Sequence, residues 1–186
     1  MKTLVCLLEE RSAKELLQIV LKEILPPDMP KPFFFSFEGK QDLERNIVRK
    51  ISKWHIHDSV FLVMRDKDAA DCIEVKTHLV ALCNQTNKPC LVRIACHELE
   101  SFYLGDLQAV SQAFHCAVPS QRSRKYRDPD HLSRPSGELE KITKGAYQKI
   151  SGSQGIAPFL RLDGSNRSRS FNVLIEGIKR LLELDS

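Results

Sequence analysis

Six carboxylates stand where they could do chemistry together. Glu9 and Glu10 follow the apolar run Thr3–Leu8, Asp66 and Asp68 follow the run 59–64 as an Asp-x-Asp, and Glu98 and Glu100 follow the run 89–95. If the first two runs are neighbouring parallel strands, Glu9, Asp66 and Asp68 converge on the crevice beyond the strand ends, where open α/β sheets bind ligands. Carboxylates a few ångströms apart repel one another and hold protons above their usual range unless a divalent cation stands among them. Oxygen-only donors select Mg²⁺ or Mn²⁺ over zinc. The plain alternative is that acidic residues end strands and open helices: Asp66, Asp68 and Asp71 precede a helical stretch whose N-terminal dipole favours them. His97, beside Glu98, reads as a structural histidine.

The elements that must position these groups follow from hydrophobic spacing. Thr3–Leu8, 32–38, 59–64 and 89–95 are short, continuously apolar runs and predict buried strands. Ser12 predicts a helix cap with Glu15 three residues on, and Leu16, Leu17, Val20, Leu21 and Ile24 recur at helical spacing until Pro26. Two further helices are predicted over 41–54 and 69–84. Strands apolar on both faces and alternating with helices imply an α/β fold: a mainly parallel four-stranded sheet with helices on both faces. Beyond residue 98 the pattern turns helical, over 99–114, 138–150 and 171–184, interrupted by an irregular basic loop over 119–135.

Composition bounds the rest. The chain has 186 residues, 42% hydrophobic and 28% charged, which excludes a disordered protein. The longest apolar run, 32–37, is too short to span a bilayer, and no cleavage signal follows the N-terminal strand. Six cysteines lack a CxxC pair, so the expected state is reduced thiols in the cytoplasm. A zinc site through Cys90, Cys96 and His97 lacks a second ligand pair. The net charge of +4 is modest, yet Arg122, Arg124, Lys125, Arg127 and Arg134 crowd one loop. With Arg167 and Arg169, Arg122, Arg124, Lys125 and Arg127 suit a phosphate backbone, with Tyr126 available to stack on a base. A solvated loop is the plain alternative for each.

A Glu after the first strand, a Ser opening the next helix and an Asp-x-Asp after the third strand resemble the Toprim domain. The stretches GKQDLE, RDKDAADC, RIACHELESFYLGD, YQKISGS and IAP together resemble small stand-alone Toprim-like proteins related to OLD-type nucleases, often encoded beside AAA- or ABC-type ATPases in defence-type loci. The resemblance implies strand order 2-1-3-4, a Toprim-like core over 1–103 and a helical extension over 104–186 packed on it as one domain. It implies Glu9 as an acid/base or metal-associated group, Asp66 and Asp68 as Mg²⁺ ligands, and Glu98 or Glu100 completing a site of one or two ions. Many Toprim domains carry Gly directly after the Glu; this chain has Glu10, which leaves both glutamates as candidates, Glu9 being closer to the strand end. Lys149 could stabilise charge on a scissile phosphate, or serve a helix C-terminus.

Three functions follow as expectations. The first is Mg²⁺-dependent hydrolysis of nucleic acid, with an ATPase or a second copy of the chain as partner. The second is a non-catalytic regulatory or effector subunit of an ATPase complex. The third, a phospho-receiver module, needs a Ser or Thr after strand four and a Lys after a fifth strand, and neither pattern is present.

Overall fold

The computed structural model describes residues 1–184. The four apolar runs form one parallel sheet: β1 (Thr3–Leu8), β2 (Phe33–Ser36), β3 (Ser59–Asp66) and β4 (Cys90–Ala95), in the order β2-β1-β3-β4. Thr3 lies beside Ser59 and Leu8 beside Met64, while Asp66 lies beside Ala95. β3 thus runs two residues beyond its apolar stretch, carrying Arg65 and Asp66 inside the sheet.

Strand alternation divides the interior. Leu4, Cys6 and Leu8 with Val60, Leu62 and Met64 face α1 (Arg11–Ile24) and the later helices. Val5, Leu7, Phe61 and Val63 face α2 (Lys40–Ser52) and α3 (Cys72–Asn84), through Leu43, Ile47, Ile51, Leu79 and Cys83. Burying each Leu or Ile contributes about 1.5–3 kcal/mol before entropy is counted. Residues beyond β4 form α4 (Ser101–Leu104), α5 (Leu107–Phe114), α6 (Pro135–Ile142), α7 (Lys149–Ile156) and α8 (Arg169–Leu182). α7 lies along α1 and α8 against β4, so Tyr147, Ile156, Phe171 and Ile178 share one core with Leu16, Leu17 and Val20. No helix among the described residues is long and apolar enough to cross a membrane.

Several boundaries differ from the sequence expectation. Ser12 does not cap α1: it sits inside the first turn and donates its hydroxyl to Glu10, which occupies the cap position. The stretch 99–114 is two helices because the chain breaks at Gly105, packed so closely that a Cβ there would lie 1.9 Å from Asn166 Oδ1. Asp106 then caps α5 through the Ala109 N–H and takes a two-pronged contact from Arg161. The stretch 138–150 also divides. Thr143 closes α6 with its hydroxyl on the Leu139 carbonyl and accepts the Tyr147 N–H, and Lys149 opens α7 rather than ending a helix. The basic loop is tied down by Gln121, whose side chain donates to the carbonyls of Leu104 and Tyr126 and accepts the Leu107 N–H.

Candidate active site at the carboxyl edge of the sheet

The carboxylates predicted from sequence gather at one sheet edge, but on its two faces. Arg65 continues the alternation of Phe61 and Val63, so its side chain turns toward α2 and α3. It is buried, 6% exposed, and its guanidinium is 2.6 Å from Glu44, 3.7 Å from Asp68 and 3.9 Å from Glu9. Its Nε also donates to the Asp66 carbonyl (3.0 Å). Lys40, at the start of α2, adds a second cation 2.9 Å from Asp68. Glu9 accepts the Asp66 N–H at 2.9 Å through the oxygen that faces Arg65. Burial pushes the Glu9 carboxyl above its ordinary value, opposed by that N–H and by Arg65.

The other face holds Asp66, Glu10, Glu100, Tyr147 and Lys149. Asp66 follows the alternation of Leu62 and Met64 and is 9% exposed. Burial, then the charges of Glu10, Glu100 and Glu9, push its carboxyl well above the usual carboxylate range. Glu100 is fully buried in the turn before α4: Oε1 accepts the Tyr147 hydroxyl at 2.8 Å, and Oε2 has no hydrogen-bond partner. Burial raises its pKa too, offset in part by Lys149 and Tyr147. Tyr147 is fixed from behind by Gly152, where a Cβ would lie 2.3 Å from the ring. Lys149, the first residue of α7, reaches back to Glu10 at 3.1 Å. Burial depresses its ammonium, but Glu10, Glu100 and Asp66 outweigh that and hold it above the ordinary lysine value.

The predicted residues therefore separate. Glu9 and Asp66 are adjacent, and Glu100 and Lys149 stand beside Asp66. Asp68 is turned away toward Lys40 and Arg65, in the left-handed region (φ 56°), with its N–H on the carbonyl of His97, itself left-handed (φ 61°). Glu98 accepts the Ser136 N–H at 2.7 Å and so caps the start of α6. Arg122, Arg124, Arg127, Arg167 and Arg169 are exposed, and make no ion pair among the described residues. Lys125 is engaged with Glu138 at 2.5 Å. Tyr126 is 7% exposed with its hydroxyl on Glu138, so it is a core residue and cannot stack on a base. Asp130 joins the basic loop to the start of α8 by accepting from Ser168 (2.6 Å) and the Ser170 N–H (2.7 Å).

Arg65, Lys40 and Tyr147 belong to the site and were not predicted. For Arg65 the signal was present: period-two spacing from Phe61 and Val63 puts it on an inward face. For Tyr147 and the Lys149–Glu10 contact no local signal exists, since the latter bridges 139 positions.

Among the described residues no three His, Cys, Asp or Glu side chains are grouped closely enough to hold a metal ion as they stand. The chemistry of the donors nonetheless fits a hard cation on the Asp66 face: all are oxygens, and Glu100 Oε2 is buried with nothing to satisfy it. Lys149 lies at the edge of this face, half exposed and paired with Glu10.

No curated protein and no solved structure matches this chain. A family described as a domain of unknown function, DUF4276, matches residues 8–179. That span takes in the site, strands β2 to β4 and most of the later helices, and the chain belongs to the DUF4276 family.

Proposed function

We propose that this chain is a Mg²⁺- or Mn²⁺-dependent phosphodiesterase acting on nucleic acid, a Toprim-type nuclease akin to the OLD enzymes. The observation that carries the reading is the unpartnered Oε2 of buried Glu100 on the same face as the similarly buried Asp66, with the Lys149 ammonium acting on Glu100. Asp66, Glu100 and Glu10 would hold the ion. When bound, it supplies charge neutralisation and polarises a phosphoryl oxygen. Lys149, half exposed and paired with Glu10, would meet a non-bridging phosphate oxygen as negative charge develops there. Glu9 stands on the other side of the sheet edge and holds the Asp66 backbone in place by accepting its N–H, and the proton of the attacking water passes to solvent. The new P–O bond forms as the bond to the departing alkoxide breaks; that oxygen takes up a proton, leaving a phosphomonoester and a hydroxyl end. Arg122, Arg124, Arg127, Arg167 and Arg169, with Lys125 where it releases Glu138, hold the strand through salt-dependent phosphate contacts.

Incubating the protein with plasmid DNA and with RNA, in Mg²⁺, Mn²⁺ or EDTA, tests this. Cleavage should require the cation, and Asp66→Asn or Lys149→Met should slow it by about 100-fold or more. Cleavage that survives Asp66→Ala and Asp68→Ala together, or no cleavage under any condition, would sink the assignment.

One observation favours a second reading. Lys40 and Arg65 already neutralise Asp68. The chain would then be a cytoplasmic, non-catalytic subunit of an AAA- or ABC-type ATPase complex, its acidic pocket holding a cation without turnover. Stoichiometric co-purification with the ATPase, and function retained in the Asp66/Asp68 double variant, distinguish it from the nuclease.

A further inference from the structure

We propose that this site takes one divalent cation and not two, the guanidinium of Arg65 standing permanently where a second ion would bind. This rests on the cation dependence proposed above. Two-metal phosphodiesterases hold their ions about 3.5–4 Å apart between shared carboxylates. Here the carboxylates that could share are divided by the sheet edge. On the α2 side, Glu9, Glu44 and Asp68 face two built-in cations, Arg65 and Lys40. Arg65 is buried and its guanidinium lies within 4 Å of all three. A divalent ion bound by Glu9 and Asp68 would share their oxygens with that guanidinium, and like charges at such distances repel strongly in a buried setting.

On the opposite side, Asp66, Glu10 and Glu100 face one cation, Lys149, a formal excess of two negative charges once all three carboxyls are ionised, as ion binding would make them. That excess matches a single divalent ion. Glu100 adds the independent sign of a missing ligand: its side chain is fully buried, one oxygen is taken by Tyr147, and the other has no donor. Arg65 also donates to the Asp66 carbonyl, and the Asp66 N–H is held by Glu9. The guanidinium thus fixes the backbone of the residue that would hold the ion. Arg65 is a positioning residue as well as a counter-ion.

Mn²⁺ titration of the whole chain, followed by electron paramagnetic resonance and calorimetry without substrate, reads the stoichiometry directly. One Mn²⁺ per chain is expected, lost in Asp66→Asn and retained in Arg65→Lys. Arg65→Met should admit a second ion, with the spin-coupled signal of a close Mn²⁺ pair. Two ions in the unaltered chain, none at millimolar Mn²⁺, or one ion indifferent to Asp66→Asn overturns the proposal, as does an Arg65→Met variant that still binds one. Should Arg65→Met fail to fold, the count and the presence or absence of spin coupling in the unaltered chain decide alone. One bound ion without cleavage would defeat the nuclease reading and leave this one standing; cleavage with two ions would do the reverse.

Discussion

At the scale of single residues, the site holds carboxylates where water is scarce, and stability should register it. Asp66 and Glu100 bind protons more tightly in the folded chain than in the unfolded one, chiefly because both are buried. Stability is then greatest below the ordinary carboxylate range and falls as pH rises from that range through the raised folded values. In EDTA, thermal unfolding followed across pH should show this fall. Asp66→Asn should flatten it and raise stability at pH 7 by about 1–2 kcal/mol, as removal of a strained functional charge commonly does. A variant that is less stable at neutral pH, or one with an unchanged profile, would refute the account. The carboxylates themselves were legible in the sequence because each follows an apolar run, and a parallel sheet must bring such ends together. Glu98 and Glu100 were not separable, because which one turns inward depends on α6 presenting the Ser136 N–H to Glu98 and on Tyr147 reaching Glu100.

At the scale of elements, the site depends on how the later helices break. Tyr147 reaches Glu100 because α6 stops at Ile142 and α7 begins at Lys149, with Gly152 leaving room for the ring. Gly152→Ala should force the ring aside and cost about 1–3 kcal/mol, measured by urea denaturation. Tyr147→Phe should cost a similar amount by leaving the second oxygen of Glu100 without its donor. Equal stability for both variants and the unaltered chain would mean that Tyr147 does not brace the site. The strands were readable because apolar runs short enough to be strands alternate with helical spacing, and the sheet order matches the expectation. The helix breaks at Gly105 and Thr143 were not, since both arise from contacts local propensity does not encode. Asn166 crowds Gly105 across sixty-odd positions, and Thr143 turns its hydroxyl onto its own helix end to receive Tyr147.

At the scale of the whole molecule, one face of the sheet is covered mostly by residues that come after it. Leu139, Tyr147, Ile156, Phe171, Leu174 and Ile178 close the core begun by Leu4, Cys6, Leu8 and α1. Residues 1–103 expressed alone therefore leave that face to water and should lack a cooperative thermal transition by circular dichroism. A sharp transition in the fragment would show that the extension is dispensable. The same division runs through the site: Glu10, Asp66 and Glu100 lie in the first part of the chain, Tyr147 and Lys149 in the second. A chain cut in its half-exposed loop over 116–120 could rebuild the site only by rebuilding the core. Occupancy of the site would then report that two pieces had found each other, and a bound ion would act as the rivet between them.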